Sequence, residues 1–292
     1  PRLGQRCRGA TALAHVLLEP EALMSLFTQL IGSGRPDVAF LHGLFGRGKN
    51  WAGIARHLAD HEHASVLFDL PNHGRSHWTD DFDYLSMADE VAAELRLRLG
   101  SAPKMNLVGH SMGGKVAMLL ALQHPHLVQR LVVVDIAPDI SYHVRTNVPL
   151  VKAMYDLDLT QLKGRGDAEI ALAHEVDDAA VRMFLLQNLK HVRTPENRNG
   201  WRWELNLDLL SEHLDDVAAW PDLGRLSYPG PVLWVAGGDS PYIRDEHHPY
   251  MKQLFPRVRL VTIPDATHWV HADAPQALTA ELLEFLETPV TA

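Results

Sequence analysis

The sequence predicts an α/β protein with a mostly parallel, doubly wound sheet and a helical insertion. Three observations lead to this fold class. From residue 38 onward, short β-branched runs alternate with segments of helical periodicity. The runs are apolar at nearly every position, as strands covered by helices on both faces require. The alternation stops between about Pro138 and Pro229, which marks an inserted segment.

Six apolar runs are predicted as strands, and helices are predicted between them. Each run is short and bounded by Gly, Pro or polar residues. The predicted strands are Val38–Leu41, Ala64–Asp69, Met105–Val108, Leu131–Ile136, Val232–Ala236 and Val258–Ile263. The predicted helices are Trp51–Asp60, Met87–Leu99, Gly114–His124, Asp245–Phe255 and Pro275–Leu286. This order indicates parallel strands joined by helical crossovers.

The interrupted stretch is too long to be a structureless loop. Its apolar residues recur at helical spacing, so residues 138–229 are expected to form a mostly helical cap over one edge of the sheet. Residues 24–137 and 230–292 are then the α/β core. Residues 1–23 are rich in Arg and have no acid before Glu19, and they are expected to be an extension outside the fold.

Composition excludes several classes of protein. Lys and Arg number 27 against 36 Asp and Glu, and the net charge of −9 argues against nucleic acid as a partner. The single cysteine, Cys7, excludes an internal disulfide and a Cys-based zinc site, and no metal site is predicted. No apolar run reaches the ~18 residues of a membrane span. Stable membrane insertion is not expected, and without a convincing signal peptide the expected location is cytoplasmic.

The strongest chemical signal is the segment Gly109-His-Ser111-Met-Gly113. It follows a predicted strand directly and precedes a predicted helix. A sharp strand-to-helix turn of this kind projects a serine hydroxyl above the sheet, and glycines on either side tolerate the crowding. The sequence therefore predicts Ser111 as a nucleophile.

A second segment, His42-Gly43-Leu44, follows the first predicted strand. On such sheets an N–H from this early loop joins the N–H of the residue after the nucleophile to bind a developing oxyanion. The predicted donors are the backbone N–H groups of Leu44 and Met112. A tight turn alone would explain Gly43, but it would not explain the pairing with the serine motif.

A catalytic base is expected late in the chain, between the last strand and the last helix. His268 occupies that position, and His271 is the competing candidate three residues later. The chain has 18 histidines, so the residue type alone indicates nothing. His268 is preferred because it is nearer the carboxyl end of its strand, where ligand sites of such sheets lie.

The acid that would orient this histidine has two candidates. Asp135 follows the strand after the nucleophile helix, and Asp239 follows the next core strand. Either carboxylate could orient the imidazole and stabilise its protonated form. Asp239 is equally explained as a turn residue beside two glycines, whereas Asp135 closes an apolar run and needs a partner to offset its desolvation.

Taken together, these segments resemble the α/β-hydrolase superfamily, and within it the YbfF-type bacterial esterases and the mitochondrial abhydrolase-domain hydrolases of animals. The matching segments are HGLFG at 42–46, DLPNHGRS at 69–76, VGHSMGGK at 108–115, VDIAP at 134–138, FLL at 184–186, WRW at 201–203, GGDSPY at 237–242 and HWVHA at 268–272. The resemblance implies an α/β-hydrolase fold without a cofactor. It also implies Asp135 as the acid, with Ser240 at the superfamily's usual acid position as a supporting residue and Asp239 as the alternative.

The sequence thus predicts a serine carboxylesterase that hydrolyses short- to medium-chain acyl esters through an acyl-enzyme, lipid and polyester substrates included. Its expected partner is a small-molecule ester, and no oligomeric state is predicted. Two alternatives stay open. An acyltransferase would use the same Ser111, His268 and Asp135 with an alcohol or thiol in place of water. A ligand-binding protein could keep these residues without turnover.

Overall fold

The computed structural model describes residues 26–99, 104–192 and 200–289. The predicted extension, residues 1–23, and Cys7 lie outside the described residues. The nine strands of the described part are β1 (Thr28–Ile31), β2 (Val38–Leu41), β3 (Ser65–Phe68), β4 (Met105–His110), β5 (Val128–Val134), β6 (Leu189–Val192), β7 (Gly200–Trp203), β8 (Val232–Gly237) and β9 (Val258–Ile263).

Helices connect the strands as the sequence predicts. In the described residues they are α1 (Ala52–Ala59), α2 (Tyr84–Leu99), α3 (Met112–Gln123), α4 (Val148–Asp156), α5 (Arg165–Leu172), α6 (Ala179–Leu186), α7 (Leu207–Glu212), α8 (Leu214–Ala218), α9 (His248–Leu254), α10 (Val270–Asp273) and α11 (Pro275–Glu287). Short 3-10 helices span Gly48–Trp51, Tyr142–Asn147 and Asp245–His247. None of the helices in these ranges is both long enough and apolar enough to cross a bilayer.

Seven strands form one sheet in the order β1-β3-β2-β4-β5-β8-β9. All neighbouring pairs are parallel except β1 with β3. The central strands β2 and β4 are buried along their whole length, because helices cover both faces of the sheet. This arrangement confirms the predicted fold class, and it brings the carboxyl ends of β4, β5 and β8 to one edge.

Two strand predictions differ from the structure in an informative way. The edge strand β1 is absent from the prediction because its sequence, TQLI, is half-exposed and lacks the apolar run of a central strand. Strand β5 begins at Val128, three residues before the predicted start, and ends at Val134 rather than Ile136. Asp135 therefore lies just outside the strand, with φ of 52°.

Between β5 and β8 the chain forms α4 to α8 and an antiparallel pair of β6 and β7. We call this segment, residues 148–218, the cap. The sequence predicts helices here but not the strand pair, in which Leu189 lies opposite Trp203. Strands of four residues in a polar and aromatic segment carry too little periodicity to be recognised.

The cap is joined to the core at the end of α8. Lys115 of α3 is 1% exposed, and its ammonium group donates to the carbonyl oxygens of Ala218 at 2.6 Å and Ala219 at 2.8 Å. The hydroxyl of Tyr84 in α2 donates to the carbonyl of Val217 at 2.7 Å. Burial lowers the pKa of Lys115 to about 7. Two core helices thus supply donors to the carbonyl groups that a helix end leaves unpaired.

Candidate active site

Ser111 occupies a strained turn between β4 and α3. Its backbone has φ of 50° and ψ of −119°, outside the regions that a residue with a side chain adopts readily. Such a residue costs on the order of 1–3 kcal/mol and persists only where its surroundings enforce it. Here the N–H of Ser111 donates to the carbonyl of Val134 at 3.0 Å. The turn holds the serine side chain at the carboxyl edge of the sheet.

The turn is possible because glycines meet where it folds back. A Cβ atom on Gly109 would lie 2.7 Å from the carbonyl carbon of Gly113. One on Gly113 would lie 2.5 Å from the carbonyl oxygen of His42. Both distances are shorter than real Cβ contacts, and the opposing atoms belong to the backbone. The glycines of the sequence motif therefore have a steric reason.

A chain of hydrogen bonds runs from Ser111 through His268 to Asp135. The Nε2 atom of His268 lies 2.9 Å from Oγ of Ser111, and its Nδ1 atom lies 2.7 Å from Oδ2 of Asp135. An ionised carboxylate only accepts hydrogen bonds, so the neutral ring carries its proton on Nδ1. Nε2 is then free to accept the serine proton, as a general base requires.

Asp135 is fully buried, and its charge is compensated by donors from β8 and the turn that follows. Oδ1 accepts the N–H of Gly237 at 2.9 Å. Oδ2 accepts the hydroxyl of Ser240 as well as Nδ1–H of His268. Donors on both carboxyl oxygens offset the cost of burying this side chain. The structure therefore places Ser240 where it can support the carboxylate of Asp135.

The two acid candidates have different surroundings. Asp239 is exposed, and its backbone N–H donates to the carbonyl of Ala266 at 2.9 Å. The carboxylate in contact with His268 is that of Asp135. In this structure the residues brought together are Ser111, His268 and Asp135, with Asp239 at the entrance to the site.

His271 lies behind this chain of contacts rather than in it. Its ring is 4.7 Å from that of His110, whose Nε2–H donates to the backbone carbonyl of His268 at 2.8 Å. Burial, together with a smaller effect of the nearby His268, lowers the pKa of His271 to about 4. This hydrogen bond from His110 fixes the backbone of His268. The sequence motif contains His110 between Gly109 and Ser111, but no local signal predicts this contact.

Sequence reasoning also did not predict that Tyr242 contacts the catalytic histidine candidate. Its ring stacks on that of His268, with 3.7 Å between the ring centres and 13° between the planes. Burial raises the pKa of Tyr242 to about 12, with a smaller effect of the Asp135 charge. Tyr242 follows Ser240 by two residues, and its N–H lies 3.3 Å from the Ser240 hydroxyl. It limits the orientations open to the imidazole ring.

The two predicted oxyanion donors flank Ser111. Met112 is the first residue of α3, so its N–H has no acceptor within the helix. Leu44 follows Gly43, and a Cβ atom on Gly43 would lie 3.2 Å from Cβ of Ser111. The backbone on both sides of the serine is therefore close to the hydroxyl group. The role of the Leu44 and Met112 N–H groups as donors to an oxyanion stays a prediction.

A cavity of about 500 Å³ opens on His268. Its walls include apolar side chains from the cap, namely Leu150, Val176 and Val181. Four carboxyl side chains also line it: Glu175, Asp177, Asp178 and Asp239. All four are exposed. The entrance to the site is therefore partly apolar and negatively charged.

The arrangement can perform nucleophilic acyl chemistry with its own side chains. Within residues 26–99, 104–192 and 200–289, no cluster of three or more His, Cys, Asp or Glu residues is suited to hold a metal ion. A hydroxyl group, a base within hydrogen-bond reach and an acid behind the base form the pattern of an activated nucleophile.

Comparisons with known proteins agree with this geometry. The sequence model of the alpha/beta hydrolase fold family matches residues 36–275. The chain is 40% identical over 256 residues to the sn-1-specific diacylglycerol lipase ABHD11 of Mus musculus, which covers 86% of this chain and 81% of that protein. It is 28% identical over 249 residues to the esterase YbfF of Escherichia coli strain K12, covering 85% of this chain and 92% of that protein.

Solved structures give the same result. A marine microorganism esterase has a TM-score of 0.83 and 34% identity, and the match covers 90% of this chain and 99% of that one. The resemblance inferred from the sequence motifs is therefore confirmed.

Proposed function

Because the chain belongs to the alpha/beta hydrolase fold family, we propose that it hydrolyses neutral acyl esters through a covalent intermediate on Ser111. That it is a carboxylic ester hydrolase follows from its similarity to esterases and lipases. The observation that supports the finer proposal is the continuous contact from Ser111 through His268 to the buried Asp135. Each group has the partner that its step requires.

In the first half of the proposed reaction, Nε2 of His268 takes the proton of Ser111 as Oγ attacks the ester carbonyl carbon. The carbonyl oxygen becomes an oxyanion, which the N–H groups of Leu44 and Met112 stabilise. Asp135 stabilises the protonated imidazole. His268 then gives its proton to the ester oxygen, the bond from that oxygen to the acyl carbon breaks, and the alcohol leaves.

In the second half, water replaces the alcohol. His268 takes a proton from water while the water oxygen attacks the acyl carbon of the Ser111 ester. The second oxyanion is held by the same two N–H groups. Its collapse breaks the bond to Oγ, which recovers its proton from His268. The products are one alcohol and one carboxylic acid, and the enzyme returns to its starting state.

The cavity supports a neutral ester as the substrate class. Its cap residues Leu150, Val176 and Val181 provide apolar surface for an acyl chain. Its carboxyl groups oppose an anionic alcohol part, such as a phosphate-bearing one, because like charges repel. The mouse relative is named as an sn-1-specific diacylglycerol lipase. A diacylglycerol is a neutral ester of this kind, and we include it among the proposed substrates.

The test is hydrolysis of p-nitrophenyl esters from acetate to palmitate, and of a diacylglycerol, by the wild type and three variants. Ser111→Ala should lose at least ~10³-fold in rate. Asp135→Asn should lose on the order of 10⁴-fold in kcat, because it leaves the histidine in the wrong tautomer. Asp239→Asn is the matched control and should retain activity on these neutral esters. All variants are compared after their folding has been verified by thermal denaturation.

Each other outcome has a definite reading. Loss of activity in Asp239→Asn with retention in Asp135→Asn would reverse the assignment of the acid. An ester product with an added alcohol, in place of free acid, would identify an acyltransferase. A wild type that binds esters without turnover, and that a fluorophosphonate does not label, would be a ligand-binding protein.

A further inference from the structure

The loop that carries Leu44 has an unusual backbone at its next residue. We call residues 42–47 the oxyanion loop. Phe45 in this loop has φ of 59° and is almost fully buried. A bulky residue in the left-handed region is strained and needs neighbours that hold it there. The neighbours of this loop therefore decide where its N–H groups point.

Residues of the loop itself orient the peptide group that bears the Leu44 N–H. The carbonyl of Gly43 accepts Nδ1–H of His42 at 2.9 Å and the N–H of Gly46 at 2.9 Å. In a trans peptide the carbonyl and the following N–H point in opposite directions. Holding the Gly43 carbonyl on one side therefore directs the Leu44 N–H to the other.

The two peptide groups on either side of Phe45 are held by side chains from elsewhere. The N–H of Phe45 lies 3.3 Å from Nε2 of His73, in the core. The carbonyl of Phe45 accepts Nδ2–H of Asn188 at 2.7 Å and, at the longer distance of 3.5 Å, Nε2–H of Gln187. Asn188 belongs to the cap, between α6 and β6. The strained residue thus lies between one partner from the core and two adjacent partners from the cap, of which Asn188 makes the shorter contact.

Asn188 is itself held rigidly. It is 0% exposed, its N–H donates to the carbonyl of Leu185 at 3.0 Å, and its carbonyl accepts the N–H of Glu204 at 2.6 Å. Among the described residues its Oδ1 atom has no hydrogen-bond partner. The bond from Nδ2 to Phe45 is therefore what offsets the burial of this amide.

The cap reaches the oxyanion loop at a second point. Arg47, at the end of the loop, donates through Nη1 to Oε2 of Glu204 at 2.8 Å. Glu204 is the residue whose N–H donates to Asn188, and its other carboxylate oxygen lies 2.6 Å from Nζ of Lys190. Asn188 directly precedes β6 and Glu204 directly follows β7, so this part of the cap contacts both Phe45 and Arg47. A change in the packing of the cap would therefore shift the oxyanion loop.

From these contacts we infer that Asn188 is a positioning residue for the oxyanion hole. It holds the Phe45 carbonyl from the cap and so keeps the Leu44 N–H aimed at the carbonyl oxygen of the reacting ester. Without the amide, the peptide group between Phe45 and Gly46 can rotate. The Gly46 N–H then turns away from the Gly43 carbonyl, whose orientation fixes the Leu44 N–H of the same peptide group. This inference rests on the proposed function, since only an enzyme that forms an oxyanion needs the N–H held there.

The test compares Asn188→Leu and Asn188→Asp, which keep the shape of the side chain and remove its donor. Loss of one oxyanion donor costs ~10²–10³-fold in kcat, and misdirecting one should cost at least ~10-fold. KM should change by less than about two-fold, because ground-state binding does not use the oxyanion hole. The affinity for a trifluoromethyl ketone, which forms a tetrahedral adduct with the serine, should fall by the same factor as kcat/KM.

Asn206→Leu is the matched control. Asn206 also joins the cap to the core through its side-chain amide, which donates to Oδ1 of Asn72 at 3.1 Å and to the carbonyl of Thr79 at 3.3 Å. These contacts do not involve the oxyanion loop. The control should lose stability but keep the kcat and the inhibitor affinity of the folded wild type.

The two hypotheses fail in different ways. Equal kcat and equal ketone affinity in the Asn188 variants and in Asn206→Leu would overturn the positioning role. A higher KM in the Asn188 variants with an unchanged kcat would also overturn it. The ketone affinity is measured without turnover, so it tests Asn188 even if the wild type hydrolyses none of the esters. That last result would count against the proposed function instead.

Discussion

Ser111 and Asp135 both follow the last residue of a parallel strand, and both have positive φ, 50° and 52°. At each position the chain turns sharply out of the sheet as the strand ends. The turn at Ser111 raises its hydroxyl, and the turn at Asp135 directs its carboxylate toward the loop that carries His268. Strain at a functional site is stable only when other contacts enforce it. Here the N–H groups of both residues donate to carbonyls of the neighbouring strands.

Two buried histidines, one in the oxyanion loop and one beside it, are held in the neutral form by their hydrogen bonds. Nε2 of His42 accepts the N–H of Leu70 at 2.9 Å, and Nε2 of His73 accepts the N–H of Phe45. Protonation of either Nε2 atom would place its new N–H against the backbone N–H that the atom now accepts. Burial lowers the pKa of His42 to about 4 and the pKa of His73 to about 3.

We therefore expect the protein to lose stability in mild acid. The folded pKa values lie below the ~6.5 of an unfolded histidine, so the unfolded chain binds protons first as the pH falls. Stability contributed by the neutral rings is full above pH ~6.5 and is lost as the pH falls toward 4. Between pH 7 and pH 5.5, each ring should lower the free energy of unfolding by about 1 kcal/mol. Urea unfolding at these pH values measures the loss, and an equal pH dependence in His73→Asn would contradict it.

At the scale of the elements, the site depends on how closely α3 packs against the end of β2. Gly113 in the first turn of α3 lies against the backbone of Leu41 and His42. The closeness allows the loop after β2 and the turn before α3 to share one site around Ser111. Backbone atoms cannot move aside as a flexible side chain can, so this packing tolerates no larger residue.

Gly113→Ala should therefore destabilise the fold and displace the oxyanion loop. The added Cβ would lie 2.7 Å from the carbonyl carbon of Leu41, and overpacking of this kind costs about 1–3 kcal/mol or more. The matched control is Gly53→Ala on α1, where a Cβ would have nothing within 4 Å. That change should stabilise the protein by up to ~1 kcal/mol, since alanine favours a helix over glycine. Urea unfolding and kcat are measured for both. A Gly113→Ala variant as stable and active as Gly53→Ala would show that the contact is not restrictive.

At the scale of the whole molecule, the net charge of −9 and the four carboxyl groups around the cavity have the same sign. A cavity lined by one sign of charge attracts ligands of the opposite sign, and salt weakens the attraction. We therefore expect the field at the entrance to favour esters with a cationic alcohol part and to disfavour esters with an anionic one.

We expect a choline ester to be favoured over its uncharged 3,3-dimethylbutyl analogue at low salt. The two have nearly the same shape, so the ratio of their kcat/KM values reports charge alone. The ratio should fall several-fold from 10 mM to 1 M salt, as the Debye length shortens from ~30 Å to ~3 Å. Asp239→Asn should lower the ratio at low salt and leave the neutral ester unaffected. A ratio that does not respond to salt would exclude this electrostatic preference.

Sequence alone was sufficient for the fold class, for the strand–turn–helix around Ser111 and for the place of His268. These features are local, because a buried strand, a glycine-flanked serine and a helix are each encoded in a few adjacent residues. Chain order then placed the histidine after the last strand. The short strands β1, β6 and β7 were missed because four half-exposed residues carry little pattern.

The residues by themselves left open which carboxylate meets His268, and the tertiary structure decided it in favour of Asp135, the residue that the family resemblance implies. Asp135 and Asp239 follow neighbouring strands, β5 and β8, and from the residues alone either could have reached the ring. The register of the two strands and the turn at Asp135 direct one carboxylate inward and leave the other at the entrance. The hydrogen bond from Asn188 to the Phe45 carbonyl likewise could not be predicted from the sequence, since the two residues are 143 positions apart. Contacts of this kind depend on how separate elements pack, and no short segment of sequence encodes that.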